Sequence, residues 1–394
     1  MENVSSSNGL EKRPKLRFPG FDEPYKQCRI GDIYAERSQR GASDMELLSV
    51  TMNDGVKPRS EIEGKDNSSE DKSNYKIVRK GDMVYNSMRM WQGANGISPC
   101  DGIVSPAYTV LMPKQEINNG YFAALFKSAN LINEFRKNSQ GMTSDTWNLK
   151  YPQIETIKVQ IPSVSEQDKV SELFGVLDAR IVAQAQLVES LKKYKRGVNN
   201  QILSQIDNSY NCRLGSVCEI VGGGTPDTLH IEYWGNTVEW FTPSEIGKTK
   251  YVNNSVRKLS DIGLNSSSAK LLPIGTVLLT TRATLGEMSI AKRECSTNQG
   301  FQSLIPHTDR VSSEYLYYMQ IIIKPWCEKY ASGNTFREIS KSALSDCIIP
   351  IPDRARQEQI VKLLSSIDML IGAAESISMS LSKIRHGLMQ QLFI

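Results

Sequence analysis

The sequence contains fragments of several catalytic motifs, and each lacks a residue that its chemistry requires. An adenine methyltransferase needs an [Asp/Asn]-Pro-Pro-aromatic motif, but no Pro-Pro pair occurs. Gly247-Lys248-Thr249 resembles the end of a phosphate-binding loop, yet Thr242 stands where the first glycine should be. Pro226-Asp227 is followed by Glu245-Ile246-Gly247-Lys248, with one residue too many between acid and lysine for a nuclease. We therefore predict no catalytic residues.

The residues that commonly bind metals are too scattered to form a site. The sequence has 7 cysteines without a Cys-x-x-Cys pair, and 3 widely separated histidines, His230, His307 and His386. This pattern predicts reduced thiols in a cytoplasm, no disulfide framework and no zinc site. We expect no cofactor on this chain.

Composition is typical of a globular protein with two or three domains. The 394 residues are 39% hydrophobic and 23% charged, with a net charge of +4, and a domain usually takes roughly 100–200 residues. No run approaches the roughly 18 apolar residues of a membrane helix, and the polar segment 1–20 does not resemble a signal peptide. The small positive charge alone indicates no partner.

The chain contains an internal repeat. When Ile161-Pro162 is aligned with Ile351-Pro352, an offset of 190, 12 of the 43 positions from 161 to 203 are identical without a gap. The matches include Gln167/Gln357, Asp178/Asp368 and Leu191/Leu381. A gapless match of this length indicates a duplicated segment.

Both copies have the pattern of a long helix with a coiled-coil seam. Apolar residues recur mainly at steps of 3, 4 or 7 from Val170 to Ile202 and from Ile360 to Leu392. Each copy begins just after a proline, which suits a helix start. Gln184 occupies a seam position and could fix the register. Two unrelated core helices are the alternative, but they would not explain the shared pattern.

The segments before the helices repeat more loosely. Arg29-Ile30-Gly31 corresponds to Arg213-Leu214-Gly215, and the strands after Gly81 and Gly275 also correspond. Short runs of β-branched and aromatic residues between Gly, Pro and Asn predict strand-rich α+β domains. We further predict helices at Tyr121–Asn138 and Ser312–Tyr330.

Several segments resemble the specificity subunits of type I restriction–modification systems. Lys15-Leu16-Arg17-Phe18-Pro19-Gly20-Phe21 is similar to the opening of that family. Gly223-Gly224-Thr225-Pro226 and Asn298-Gln299-Gly300-Phe301 resemble parts of its target-recognition domains, and both Ile-Pro junctions resemble its spacer starts. One departure is Arg356, where the usual Glu of a Glu-Gln pair is expected.

The resemblance implies an α+β fold in which two strand-rich target-recognition domains alternate with two long antiparallel coiled-coil spacer helices, as a pseudo-twofold internal repeat. The expected segments are an N-terminal tail (1–20), domain 1 (21–162), spacer helix 1 (163–206), domain 2 (207–352) and spacer helix 2 (353–394). Each domain would read one half of a bipartite double-stranded DNA site. The helices, about 60 Å long at 1.5 Å per residue, would set the gap.

The resemblance also implies partners. Two methylation subunits would dock on the helices and carry S-adenosylmethionine, and two restriction subunits using ATP and Mg²⁺ could join. A coiled-coil scaffold without DNA affinity and a recognition subunit of a fused methyltransferase–nuclease are the alternatives.

A domain that reads duplex DNA needs cations for phosphates and amide or planar side chains for base edges. Candidates in the first domain are Lys57, Arg59, Asn86, Ser87, Arg89, Trp91, Gln92 and Asn95. Candidates in the second domain are Lys248, Lys250, Arg257, Thr280, Thr281, Arg282, Thr284 and Arg337.

Overall fold

The computed structural model describes residues 2–3, 13–41, 44–52, 55–66, 68–207, 210–282, 284–333 and 337–394. Half of the predicted tail, residues 1 and 4–12, therefore lies outside the described residues. The chain divides into two compact units, one of Met1–Gln186 with Glu375–Ile394 and one of Leu187–Ala374. Each of the two long helices contributes residues to both units.

The first unit is rich in short strands. Its strands are β1 (Glu2–Asn3), β2 (Leu16–Arg17), β3 (Lys26–Arg29), β4 (Tyr34–Glu36), β5 (Leu48–Thr51), β6 (Gly55–Pro58), β7 (Lys76–Val78), β8 (Met83–Asn86), β9 (Asn95–Ile97), β10 (Gly102–Val104), β11 (Tyr108–Pro113) and β12 (Lys158–Ile161). Its short helices are α1 (Ile30–Ile33), α2 (Asn119–Leu125), α3 (Ala129–Asn138) and α4 (Tyr151–Ile154). The largest sheet has the order β4-β11-β8-β9, and β3 pairs with β12.

The second unit repeats this order after the helix α5 (Val164–Ser204). Its strands are β13 (Asn211–Arg213), β14 (Cys218–Gly222), β15 (Trp234–Phe241), β16 (Tyr251–Val252), β17 (Arg257–Leu259), β18 (Val277–Leu279), β19 (Met288–Ala291), β20 (Cys295–Thr297), β21 (Gln302–Pro306) and β22 (Ile348–Pro350). Its helices are α6 (Asp261–Asn265), α7 (Ser313–Tyr318), α8 (Gln320–Tyr330) and α9 (Lys341–Ser345), before α10 (Arg354–Leu392). The main sheet, β14-β21-β18-β19-β16, contains the same four-strand order as the first unit.

The looser repeat also has a packing basis in two glycines. A Cβ on Gly31 would lie 2.9 Å from the Cβ of Glu155 at the end of α4. A Cβ on Gly215 would approach the side chain of Ser345 at the end of α9 even more closely. Both positions therefore require glycine because another element packs against the backbone.

The predicted long helices are confirmed, at 41 residues for α5 and 39 for α10. In the first unit Asp178 pairs with Arg385, and the rings of Phe174 and Phe393 stack at 5.7 Å, so the helices are antiparallel there. In the second unit Lys195 pairs with Asp368. The two ion pairs join equivalent positions, because Asp178/Asp368 and Lys195/Arg385 are related by the 190-residue offset.

The predicted seam is only partly buried. Val170, Val188 and Ile202 are buried, and so is Gln184. Ile377 and Ile384, which the spacing places in the seam, are instead about half exposed, at 48% and 53%. An apolar repeat reports which residues share a helix face, but it does not report how much of that face the chain itself covers.

The two shorter helices predicted from sequence are each divided. Asn118 caps α2, and the Ser128 hydroxyl accepts a 3.4 Å hydrogen bond from the Leu131 amide, so α3 begins afresh. Ser312 caps α7, and Met319, with ψ near 0°, separates it from α8. The apolar period continues through both breaks, which is why sequence predicts one helix in each place.

None of the seven cysteines, all of which are described, forms a disulfide. Within the described ranges, no group of three or more His, Cys, Asp or Glu side chains could hold a metal ion. None of the described helices combines the length and apolar character needed to cross a bilayer.

Candidate nucleic-acid interface

The loop between β8 and β9 of the first unit presents a group of cations and aromatic rings. Residues Met90–Gln92 form a single 3₁₀ turn that ends at Gly93, whose φ of 84° is left-handed. The Asn86 side chain accepts a 3.0 Å hydrogen bond from the Met88 amide and so holds the loop entry. Arg89, Trp91 and Gln92 lie on this turn and are each half-buried.

Trp91 lies edge-on to Trp147, with ring centroids 5.2 Å apart, and its indole N–H donates to the Met88 carbonyl. The guanidinium of Arg136 lies 5.7 Å from the Trp91 ring. The side chains of Arg89 and Gln92 make no hydrogen bond or ion pair with other described residues. We call these five residues the Trp91 patch: Arg89, Trp91, Gln92, Arg136 and Trp147. It offers cations for phosphates and an amide for a base edge.

Four other predicted residues of the first domain have structural contacts. Ser87 is buried and its hydroxyl bonds with Thr109 at 2.8 Å, while buried Asn95 donates to the Gly93 carbonyl. Arg59 donates to three backbone carbonyls of the following turn and lies 3.7 Å from Asp66. Lys57 lies on β6 and is engaged within the chain. The geometry gives Ser87, Asn95 and Arg59 positioning roles.

The second domain carries a similar combination at a different place. The Arg257 guanidinium lies over the ring of Trp234, with its Cζ 3.4 Å from the ring centroid, and Trp234 packs edge-on to Trp240. Trp240 is fixed by a 3.0 Å hydrogen bond from its indole to the Gly224 carbonyl. The donors of exposed Arg257 bond to no described residue. We call Trp234, Trp240 and Arg257 the Trp234 patch.

The predicted loop 280–284 is more engaged within the domain than its sequence suggests. Thr280 and Thr281 are buried, and the Thr281 amide donates to the Gly300 carbonyl at 2.7 Å. Arg282 forms a 2.8 Å ion pair with Glu338 and remains partly exposed. Thr284 is exposed. Only Arg282 and Thr284 of these four therefore reach the surface.

Three remaining predicted cations differ in availability. Lys248 is exposed, and its ammonium bonds to none of the described side chains. Lys250 is held by the hydroxyls of Tyr318 and Ser365 at 3.2 and 3.1 Å, and burial lowers the pKa of its ammonium. Arg337 donates to the carbonyls of Glu328 and Ala331 at the end of α8. Lys250 and Arg337 thus serve the fold.

Sequence reasoning missed Arg136 and Trp147 in the first domain. Both come from segments distant from the β8–β9 loop in the chain, and only packing brings them to Trp91. An exposed arginine in the last turn of a helix is usually a favourable end charge, so it gave no separate signal. The available signal was Trp147 in a polar, Gly-containing loop.

Similar glutamine junctions join both domains to their helices. Gln167 accepts from the Asn118 amide at 3.0 Å and donates to the Pro162 carbonyl at 3.0 Å. Gln357 accepts from the Ser312 amide at 3.2 Å and donates to the Pro352 carbonyl at 2.9 Å. Each buried glutamine therefore connects the start of a long helix to the cap of the short helix of its own domain.

The fold and surfaces define a duplicated recognition module in which two domains with different loops are built on equivalent long helices. The family model for the type I restriction modification DNA specificity domain matches residues 23–208 and 206–379. The chain belongs to this family. Its members are recognition subunits and not the catalytic subunits of their systems.

Individual relatives agree with this assignment. The chain is 35% identical to the MjaIX specificity subunit of Methanocaldococcus jannaschii over 186 residues, which are 46% of this chain and 43% of that protein. It is 26% identical to the EcoR124I/EcoR124II specificity subunit of Escherichia coli over 231 residues, 54% of this chain and 56% of that protein. The matched part thus spans about half the length of these relatives.

Solved structures share the fold. A chain from a study of complex assembly and conformational transition of the type I R-M system gives a TM-score of 0.61 at 18% identity, covering 96% of this chain and 99% of that one. The type I restriction–modification S subunit of M. genitalium gives 0.59 at 14% identity, covering 97% and 99%. The predicted α+β architecture with two long helices is confirmed.

Proposed function

We propose that the chain is the DNA-recognition subunit of a type I restriction–modification complex, and that each domain reads one half of a bipartite site. The observation that carries this proposal is the contrast between the junctions and the loops. The Gln167 and Gln357 junctions share two equivalent hydrogen bonds, although Gln357 also donates to the Arg310 carbonyl, whereas the Trp91 and Trp234 patches arise from different elements. Equivalent supports suit a common partner, and different surfaces suit two different half-sites.

The cationic patches supply the chemistry that duplex recognition requires. Guanidinium groups can bind phosphates or the O6 and N7 atoms of guanine, and Gln92 can pair with adenine. Arg257 is oriented by Trp234, which reduces the conformational freedom that it would lose on binding. We propose that Arg89, Gln92, Arg136 and Arg257 contact DNA directly. Ser87 and Asn95 would position the β8–β9 loop, and Thr280 would position the loop 280–284.

We further propose that the long helices set the gap between the half-sites and bind two methylation subunits. Both helices keep large apolar side chains exposed, including Val176, Tyr194, Met369 and Met379. Partner helices would cover such residues. The recognition domains are proposed as 21–162 and 207–352. S-adenosylmethionine, ATP and Mg²⁺ would be bound by the partner subunits, in the cytoplasm where the DNA lies.

The proposal that the long helices set the gap between the half-sites has a quantitative test. Seven residues inserted at the equivalent positions Ala183 and Ala373 lengthen each helix by about 10.5 Å and retain the heptad register. At 3.4 Å per base pair, the gap in the methylated site should grow by about three base pairs. An active complex that methylates sites with an unchanged gap would contradict the proposal that the helices set it.

DNA binding by the assembled complex tests the recognition proposal against a scaffold without DNA affinity. Binding should weaken steeply with salt, because phosphate contacts release counterions. Arg257→Ala should reduce the slope of log K against log salt by about 1. Lys169→Ala changes an exposed cation on α5 and is the matched control. A complex whose affinity does not depend on salt would support the scaffold.

A further inference from the structure

In the first unit a short extended segment packs against the apolar cluster to which both long helices contribute. Leu16 and Phe18 belong to the same apolar cluster as Val170, Leu173 and Leu388. Between them, Arg17 donates through two nitrogens to the Glu166 carboxylate at 2.9 and 2.8 Å. Arg17 and Glu166 are almost fully buried. We call Leu16, Arg17 and Phe18 the clasp.

The second unit has a partly exposed groove at the equivalent place. A cavity of about 370 Å³ is lined by three glutamines and by Tyr194, Val198, Ile202, Arg356, Ile360 and Leu363. The 190-residue offset relates Val198 to Leu388, Ile360 to Val170 and Leu363 to Leu173, all of which belong to the cluster that includes the clasp. Leu363 is 45% exposed, whereas its counterpart Leu173 in the first unit is half-buried. The apolar lining is therefore retained, but Leu363 is less covered than Leu173.

The connection between α5 and β13 is too short to hold a second clasp. In the first unit, β2 and the segment up to Tyr25 precede β3. In the second unit, the corresponding strand β13 begins at Asn211, and α5 ends at Ser204. The short connection leaves no room for an equivalent of residues 13–25.

The charge at the mouth of the groove is reversed. Arg356 occupies the position of Glu166, and its guanidinium bonds to Gln359 at 3.3 Å. It forms no ion pair with a carboxylate among the described residues. A copy of the clasp would therefore place Arg17 against Arg356, which like-charge repulsion opposes.

We propose that the groove of the second unit is a docking site for an extended segment of a partner protein, with two apolar residues flanking an aspartate or glutamate. The apolar residues would take the places of Leu16 and Phe18, and the carboxylate would bind Arg356. Such a partner would explain why an arginine stands at position 356, where a glutamate is usual in this family. The proposal does not depend on what the domains recognise.

A charge-exchange experiment on the full chain tests this proposal. The probes are two labelled peptides with the sequence of residues 13–22, one unchanged and one carrying Arg17→Glu. Their binding is measured by fluorescence anisotropy to the wild-type chain, to Arg356→Glu and to Lys362→Glu. Lys362 is an exposed residue of the same helix that does not line the groove, so it is the matched control.

The Arg17→Glu peptide should bind the wild-type chain and Lys362→Glu equally, and Arg356→Glu about tenfold more weakly. The unchanged peptide should show the opposite preference. No binding of the Arg17→Glu peptide at millimolar concentration would overturn the docking site. Equal binding to wild type and Arg356→Glu would overturn the role of the carboxylate. Preference of the wild-type chain for the unchanged peptide would instead indicate a second copy of this chain.

Discussion

Removing one partner of the buried ion pair between Arg17 and Glu166 should be among the most destabilising single substitutions in the first unit. The side chains are 5% and 1% exposed, and Tyr25 adds a 3.4 Å hydrogen bond to the same carboxylate. Bonding to Glu166 raises the pKa of Arg17, so its charge is retained. In Glu166→Gln the buried guanidinium loses its counter-charge. We expect the free energy of unfolding of this unit to fall by about 3–5 kcal/mol.

Urea titration with tryptophan fluorescence can measure this loss unit by unit. Trp91 and Trp147 report on the first unit, and Trp234, Trp240 and Trp326 report on the second. Removing the reporters of one unit isolates the transition of the other, which is needed because two units need not unfold together. The matched control Arg356→Gln should change the second transition by less than about 1 kcal/mol. The double variant Arg17→Met with Glu166→Leu should recover most of the loss. A loss below about 1 kcal/mol for Glu166→Gln would refute this account.

Three further outcomes are expected. Gln357→Ala should lower the unfolding free energy of the second unit by about 1–3 kcal/mol in urea titration, because it leaves the Ser312 amide without its acceptor; an unchanged midpoint would exclude the junction role. Burial acts to raise the pKa of Glu239, but hydrogen bonds from Lys258 and Ser255 outweigh it and the pKa is lowered. A lowered pKa stabilises the fold above the unfolded value, so Glu239→Gln should reduce the melting temperature at pH 7, and the difference should shrink as the pH falls below 4.5; a pH-independent difference would contradict this. Arg89→Ala should relax one half of the methylated motif in sequencing while the other half stays intact; equal relaxation of both halves would argue against separate reading.

The sequence predicted the duplicated architecture because a gapless repeat constrains the fold strongly. Strands after Gly81 and Gly275, and helices after Pro162 and Pro352, lie where the patterns place them. The breaks at Ser128 and Met319 were not predictable from period alone, because the apolar face continues across them. A capping hydroxyl competes with the helix only when tertiary packing favours the cap.

The candidate interface was less accessible to sequence reasoning than the fold. Sequence alone does not show whether a threonine or asparagine in a loop faces solvent or is buried, as Thr280 and Asn95 are. Arg59 and Arg337 bind carbonyls of nearby turns, which no spacing rule indicates. The DNA contacts remain predictions, and the side chains best placed for them are Arg89 and Arg257.

Genome-wide mapping of N6-methyladenine tests the central claim most directly. The chain would be expressed with its methylation subunit in a host that lacks adenine methylation, with the methylation subunit alone as control. The account predicts one new bipartite motif with a fixed gap, absent from the control. A complex that assembles but methylates no defined motif would contradict the account. A single continuous motif without a gap would contradict it as well.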